Sequence, residues 1–90
     1  MEMAQYILQI LKGELIVMLS WGFSSPIAVK EGLRFHVNGY LHQGWVEVQY
    51  DEGIDLFRVR LLKDGKVIDE TSEVYFDNLV FVIDRMVETK

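Results

Sequence analysis

Three groups of residues in this chain have the types that chemistry uses: a pair of histidines, a carboxylate-rich turn, and an aromatic residue near two arginines. His36 and His42 flank Asn38-Gly39 and could share a metal ion if their rings met. Asn-Gly is the usual centre of a two-residue hairpin turn. With that turn Phe35 faces His42 and Val37 faces Tyr40, while Arg34, His36 and Gln43 point the other way. The two imidazoles then lie on opposite faces, so no metal site is expected and both read as structural histidines. Asp51, Glu52 and Asp55 lack the alternation and glycine placement of a calcium loop and read as a solvated turn. Paired carboxylates doing acid–base work need a cleft that raises one pKa, which a hairpin tip does not provide. No glycine-rich phosphate loop and no Ser/His/Asp spacing is present, so neither a catalytic residue nor a cofactor is expected. That leaves Trp45, Arg58 and Arg60, from the residue types most enriched at binding hot spots.

The stretch from Gly44 to Leu62 positions these residues and reads as one long β-hairpin. Val46, Val48 and Tyr50 alternate with Trp45, Glu47 and Gln49, and Phe57, Val59 and Leu61 alternate with Leu56, Arg58 and Arg60, the period of half-buried strands. A two-residue turn at Glu52-Gly53 sets Val48 opposite Phe57, Val46 opposite Val59, Glu47 opposite Arg58 and Trp45 opposite Arg60. A slip of one residue would set each valine against an arginine. The Leu33–Val37 hairpin continues in the same phase, and a third turn at Lys63-Asp64-Gly65-Lys66 leads to a short, charged edge strand from Val67 to Thr71.

Helices flank these strands. Glu2, Gln5, Gln9 and Lys12 form the polar stripe of a first helix that stops at Gly13. Glu14 to Ser20, nearly all apolar, reads as an interior strand, followed by an aromatic loop from Trp21 to Pro26. Residues 24–32 fit either one helical turn opened by Pro26 or an irregular strand. Thr71 or Ser72 reads as the cap of a second helix whose stripe is Phe76, Leu79, Val80, Ile83 and Val87.

Ninety residues amount to a single α+β domain, 1–90, which buries only roughly 60–65% of its unfolded surface and has little room for an enclosed site. The absence of cysteine fits a reducing, cytoplasmic setting. The N-terminus does not read as a leader, and the longest apolar run, Leu15 to Leu19, is too short to cross a bilayer, so no membrane is expected. A net charge of -5 argues against nucleic acid. The order helix, strands, helix is also that of the double-stranded-RNA-binding module. That module needs a basic second helix, whereas here Asp77, Asp84 and Glu88 stand against Arg85 alone.

The strings Leu19-Ser20-Trp21-Gly22-Phe23, Phe35 to Gly39, Gly53-Ile54-Asp55-Leu56-Phe57 and Val74-Tyr75-Phe76-Asp77-Asn78-Leu79 resemble a family of small bacterial proteins of unknown function, seen among gut-bacterial and mobile-element genes. The resemblance spans nearly the whole chain and implies neither an activity nor a catalytic residue.

The expected fold is therefore a mainly antiparallel meander of four or five strands, with the N- and C-terminal helices on one face (α-β-β-β-β-α). The opposite face would present Trp45, Glu47, Leu56, Arg58 and Arg60, with Leu41, Leu62 and Val67 around them. The expected function is non-enzymatic, with that face docking another protein or a second copy. The alternative is a small-molecule-binding or enzymatic domain with a shallow aromatic pocket around Trp21, Phe23 and Tyr75.

Overall fold

The structure, a computed structural model, describes residues 2–88. Two helices, α1 (Met3–Lys12) and α2 (Leu15–Ser20), precede five strands: β1 (Ser24–Val29), β2 (Gly32–Asn38), β3 (Gln43–Asp51), β4 (Leu56–Lys63) and β5 (Lys66–Val74). A 3-10 turn, Phe76–Asn78, leads into α3 (Leu79–Val87). The strands form one sheet in the order β1-β2-β3-β4-β5, each antiparallel to the next. The fold is the expected α+β meander with helices on one face.

The core follows from the two periodicities. Leu33, Phe35 and Val37 on β2, Val46 and Val48 on β3, and Phe57, Val59 and Leu61 on β4 are all buried. Ile7 and Leu11 of α1 and Leu79, Ile83 and Val87 of α3, at helical spacing, close over them. Each such side chain contributes roughly 1.5–3 kcal/mol by leaving water, and this sandwich of sheet and helices is the main stabilising layer.

Both central hairpins keep the expected faces, but their partners differ. Val48 is opposite Val59, Glu47 opposite Arg60, Gln49 opposite Arg58 and Trp45 opposite Leu62. Phe35 is opposite Val46 and Val37 opposite Gly44. Each turn has four residues instead of two; the partners slide by four residues at the β2–β3 hairpin and by two at the β3–β4 hairpin, both even, so the alternation survives. At the β3–β4 tip the Asp51 carboxylate accepts the Gly53 N–H at 3.0 Å, and Asp55, not Gly53, takes the left-handed backbone with φ 56°. Gly39 serves close approach: a Cβ there would come within 2.5 Å of the Val87 carbonyl, at the end of α3. Only Asp64-Gly65, with φ 54° and 79°, is the two-residue turn its sequence suggests.

Two elements differ in kind from the sequence expectation, and at a third the structure takes one of the two readings left open. Leu15–Ser20 is a helix, not an interior strand; Met18 is buried, while Leu15, Ile16 and Leu19 are exposed. An unbroken apolar run has no period to distinguish the two. Residues 24–29 form an edge strand, where Pro26, lacking an N–H, sits at a bulge beside Ser25 (φ 54°). Thr71 and Ser72 cap nothing and belong to β5, which a second bulge at Glu73 (φ 57°) carries on to Val74. Thr71 instead faces inward, its hydroxyl donating to the Met86 sulfur at 3.5 Å.

Candidate functional site

The open sheet face is built from the outward residues of β2 to β5. Glu47 lies at its centre, only 8% exposed, covered by the arginines that neutralise it. Arg34 donates to it at 2.6 and 3.1 Å, and the Arg60 guanidinium lies 3.7 Å away. Arg60 also donates to Glu70 at 2.8 Å and to Gln49 at 3.3 Å, while Arg58 lies between Asp51 at 3.7 Å and Glu70 at 3.9 Å. Each arginine of this ladder thus already faces a carboxylate. Trp45 is half-buried on the same face with its ring edge-on to His36 at 5.2 Å, not beside Arg60 as the shorter turn predicts. Leu56 and Leu62 are half-buried.

The two histidines do fall on opposite sides. His42 is buried, and its Nε2 lies 3.1 Å from the Trp45 carbonyl; a carbonyl only accepts, so Nε2 carries the proton. Among the described residues, no three His, Cys, Asp or Glu side chains converge as a metal site would require. No helix of the described residues is long and apolar enough to cross a membrane.

Trp21, Phe23 and Tyr75 do not line one pocket. Trp21 is fully buried, its ring stacked on Phe35 at 6.3 Å and its indole N–H donated to Asp84 at 2.9 Å; Phe23 packs on the same Phe35 at 4.8 Å. Tyr75 instead lines an open cavity of about 630 Å³ at the end of the sheet where β3 turns into β4. Tyr6 of α1, Tyr50, Phe57 and Phe76 are its other rings, with Asp55 beside them. Tyr6 and Tyr50 flank the buried Phe57, with centroids 6.5 and 5.4 Å from it. The Tyr50 hydroxyl donates to the Asp55 carboxylate, and this bond holds the phenol's pKa up at about 12.

The helical side carries a second open groove, of about 590 Å³. Ile10, Val17, Phe76, Val80 and Phe81 give it apolar walls, and Glu14, Asp77 and Asp84 are its charged lining residues. At about 100° per residue, α2 is apolar around most of its circumference: Leu15 and Leu19 lie on one side, Ile16 at the crest and Val17 over the groove. Ile16 is 85% exposed and Phe81 62%. The sequence reading missed this surface because it placed the Leu15–Leu19 run inside the sheet; the one available signal was that the meander already had its buried centre. Comparison with protein-family models, curated proteins and solved structures finds no match.

Proposed function

We propose that this protein is a non-enzymatic interaction protein whose main docking surface is the groove between α1, α2 and α3. Its partner there is a segment of another protein that presents apolar side chains flanked by Lys or Arg. The observation that carries the reading is the exposure of Phe76 and Phe81 in the groove wall and of Ile16 on the crest of α2, all of them large apolar side chains in water. Apolar surface gathered in this way marks a contact surface more than a solvated one. The chemistry of the partner follows from the lining: Glu14 and Asp77 supply carboxylates, and among the described residues no Lys or Arg lines the groove. A second copy fits poorly, since a two-fold contact would bring the same carboxylates face to face. Nucleic acid fits no better, given these carboxylates and a net charge of -5. The cysteine-free sequence supports a cytoplasmic setting. The resemblance to small bacterial proteins adds no activity.

A second reading, self-association through the sheet face by way of Trp45, Leu56, Arg58, Arg60 and Glu47, is favoured by one observation. The ion pairs there are balanced within the face, so two copies could meet without net repulsion. Trp45→Ala would then weaken the dimer by about 2 kcal/mol or more, the scale of a hot spot.

The test uses wild type, Ile16→Glu with Phe81→Glu, and Trp45→Ala as baits in quantitative capture, with circular dichroism as the fold control and analytical ultracentrifugation for mass. Capture alone decides nothing. A protein lost only by the Ile16/Phe81 bait, through a Lys/Arg-rich apolar segment, is the expected result. A wild-type dimer dispersed by Trp45→Ala moves docking to the sheet, and no bait-dependent difference in either measurement overturns the proposal.

A further inference from the structure

The aromatic cavity at the β3–β4 end has its own lining, with Phe76 the one residue it shares with the helical groove. Five rings line it: Tyr6, Tyr50, Phe57, Tyr75 and Phe76. They come from α1, β3, β4 and the segment after β5, so the tertiary fold alone brings them together. Phe57 is buried as a floor, whereas Tyr6, Tyr75 and Phe76 remain exposed around it. Among the described residues, the one ionised group of the lining is the Asp55 carboxylate and no Lys or Arg borders the cavity. Asp55 is held in place on both sides of its Cα: its backbone takes φ 56°, and one carboxylate oxygen accepts the Tyr50 hydroxyl.

Several ring faces with one carboxylate and no competing cation are what recognition of an organic cation requires. Ring quadrupoles attract a positive charge spread over methyl groups, which gives up little hydration on leaving water. A neutral apolar ligand would gain from the rings but nothing from Asp55, and an anion would be repelled. We infer that this cavity binds a methylated ammonium group, with Tyr6, Tyr50 and Tyr75 against its methyl groups and Asp55 as the counter-charge. The group could belong to a free small molecule or to an alkylated lysine side chain; both present the same chemistry to the rings.

The two sources and the neutral case separate in one amide-resolved NMR titration of the full chain. The probes are choline, its uncharged isostere 3,3-dimethylbutanol, and a blocked trimethyllysine. The expected result is that choline or trimethyllysine shifts the amides around Tyr50, Asp55 and Tyr75, with the isostere bound at least about tenfold more weakly, the ratio expected for a partly desolvated cation–π site. The tighter of the two cations identifies the source. Asp55→Asn, which keeps the left-handed backbone and an acceptor for Tyr50, should weaken the cation about fivefold or more and leave the isostere unchanged. Tyr6→Leu, at a half-exposed position, should also weaken the cation, with circular dichroism unchanged. Equal binding of cation and isostere, shifts that map elsewhere, or no shift at high probe concentration would each overturn the inference.

Discussion

Residues 16 and 18 separate the helix from the strand at α2. On a strand, side chains two apart point the same way; on a helix they lie about 200° apart. Ile16 is 85% exposed and Met18 only 4%. Full burial of an isoleucine is worth roughly 1.5–3 kcal/mol, so the small buried fraction of Ile16 holds only about 0.2–0.5 kcal/mol. Ile16→Glu also puts a better helix former, and a carboxylate, in the first turn of α2, each worth a few tenths. The net change should stay within about 0.5 kcal/mol. Met18→Glu removes a packed core side chain, which alone costs about 2–5 kcal/mol, and strands a carboxylate in its place. In a domain of this size about 1 kcal/mol moves Tm by roughly 4–8 °C. Thermal and urea unfolding should therefore show Ile16→Glu within a few degrees of wild type and Met18→Glu lower by about 15 °C or more. Similar losses in both variants would restore the strand and remove the exposed belt on which the docking proposal rests.

Three other perturbations probe the sheet and its two ends. Glu47→Gln keeps the shape but removes the charge between Arg34 and Arg60; urea unfolding should show a loss of about 1–2 kcal/mol, limited by the partial exposure of both arginines. Asp84→Leu leaves the fully buried Trp21 indole N–H without its acceptor and should cost about 1–3 kcal/mol, whereas Asp84→Asn, which can still accept, should cost less. Tyr50 has its pKa raised above 10.0 to about 12, chiefly by the hydrogen bond to Asp55, so the neutral phenol is the form that stabilises the fold. That contribution is complete below pH 10 and lost as pH rises through about 12; near-ultraviolet titration should show a late-titrating tyrosine that is absent in Tyr50→Phe and moves back down in Asp55→Ala.

The parts of the fold that follow from local pattern were legible, and those that follow from contacts between distant segments were not. Alternation from Val46 to Tyr50 and from Phe57 to Leu61 assigns every side chain to a face, and a slide of two residues leaves that assignment intact. Loop length was not legible, because Asn38-Gly39 and Glu52-Gly53 look like two-residue turns. What lengthens them is the Leu41 N–H bonded to the Val87 carbonyl at 2.8 Å and the Asp51 side chain folded back on Gly53. Thr71-Ser72-Glu73 carries the letters of a helix cap, yet the inward packing of Thr71 on Met86 keeps it in the sheet. The candidate sites follow the same rule. The outer-face residues Trp45, Glu47, Arg58 and Arg60 come from one alternation and were legible, whereas the aromatic cavity and the helical groove each draw on several elements and needed the fold.

Charge divides the two sides of the molecule, and salt should therefore tell the two docking modes apart. On the sheet face Arg34, Arg58 and Arg60 are set against Asp51, Glu47 and Glu70, three positive and three negative, so the net charge of -5 resides elsewhere. The helical groove carries part of that charge in Glu14 and Asp77, with Arg85 beside it, turned over the Phe81 ring at 5.8 Å. Screening acts on charges separated by more than the Debye length, about 10 Å at 0.1 M salt, and on the approach of a charged partner. A cationic segment entering the groove should associate more slowly and bind severalfold more weakly as salt rises, its apolar contacts setting the residual affinity. A dimer formed through the sheet face should barely respond, because each arginine already has its carboxylate in the monomer. Binding isotherms of a Lys/Arg-flanked apolar peptide at low and high salt, beside sedimentation of the protein alone, measure both. A groove partner indifferent to salt would mean that apolar area alone selects it, and the carboxylates of the lining would lose their assigned part in recognition.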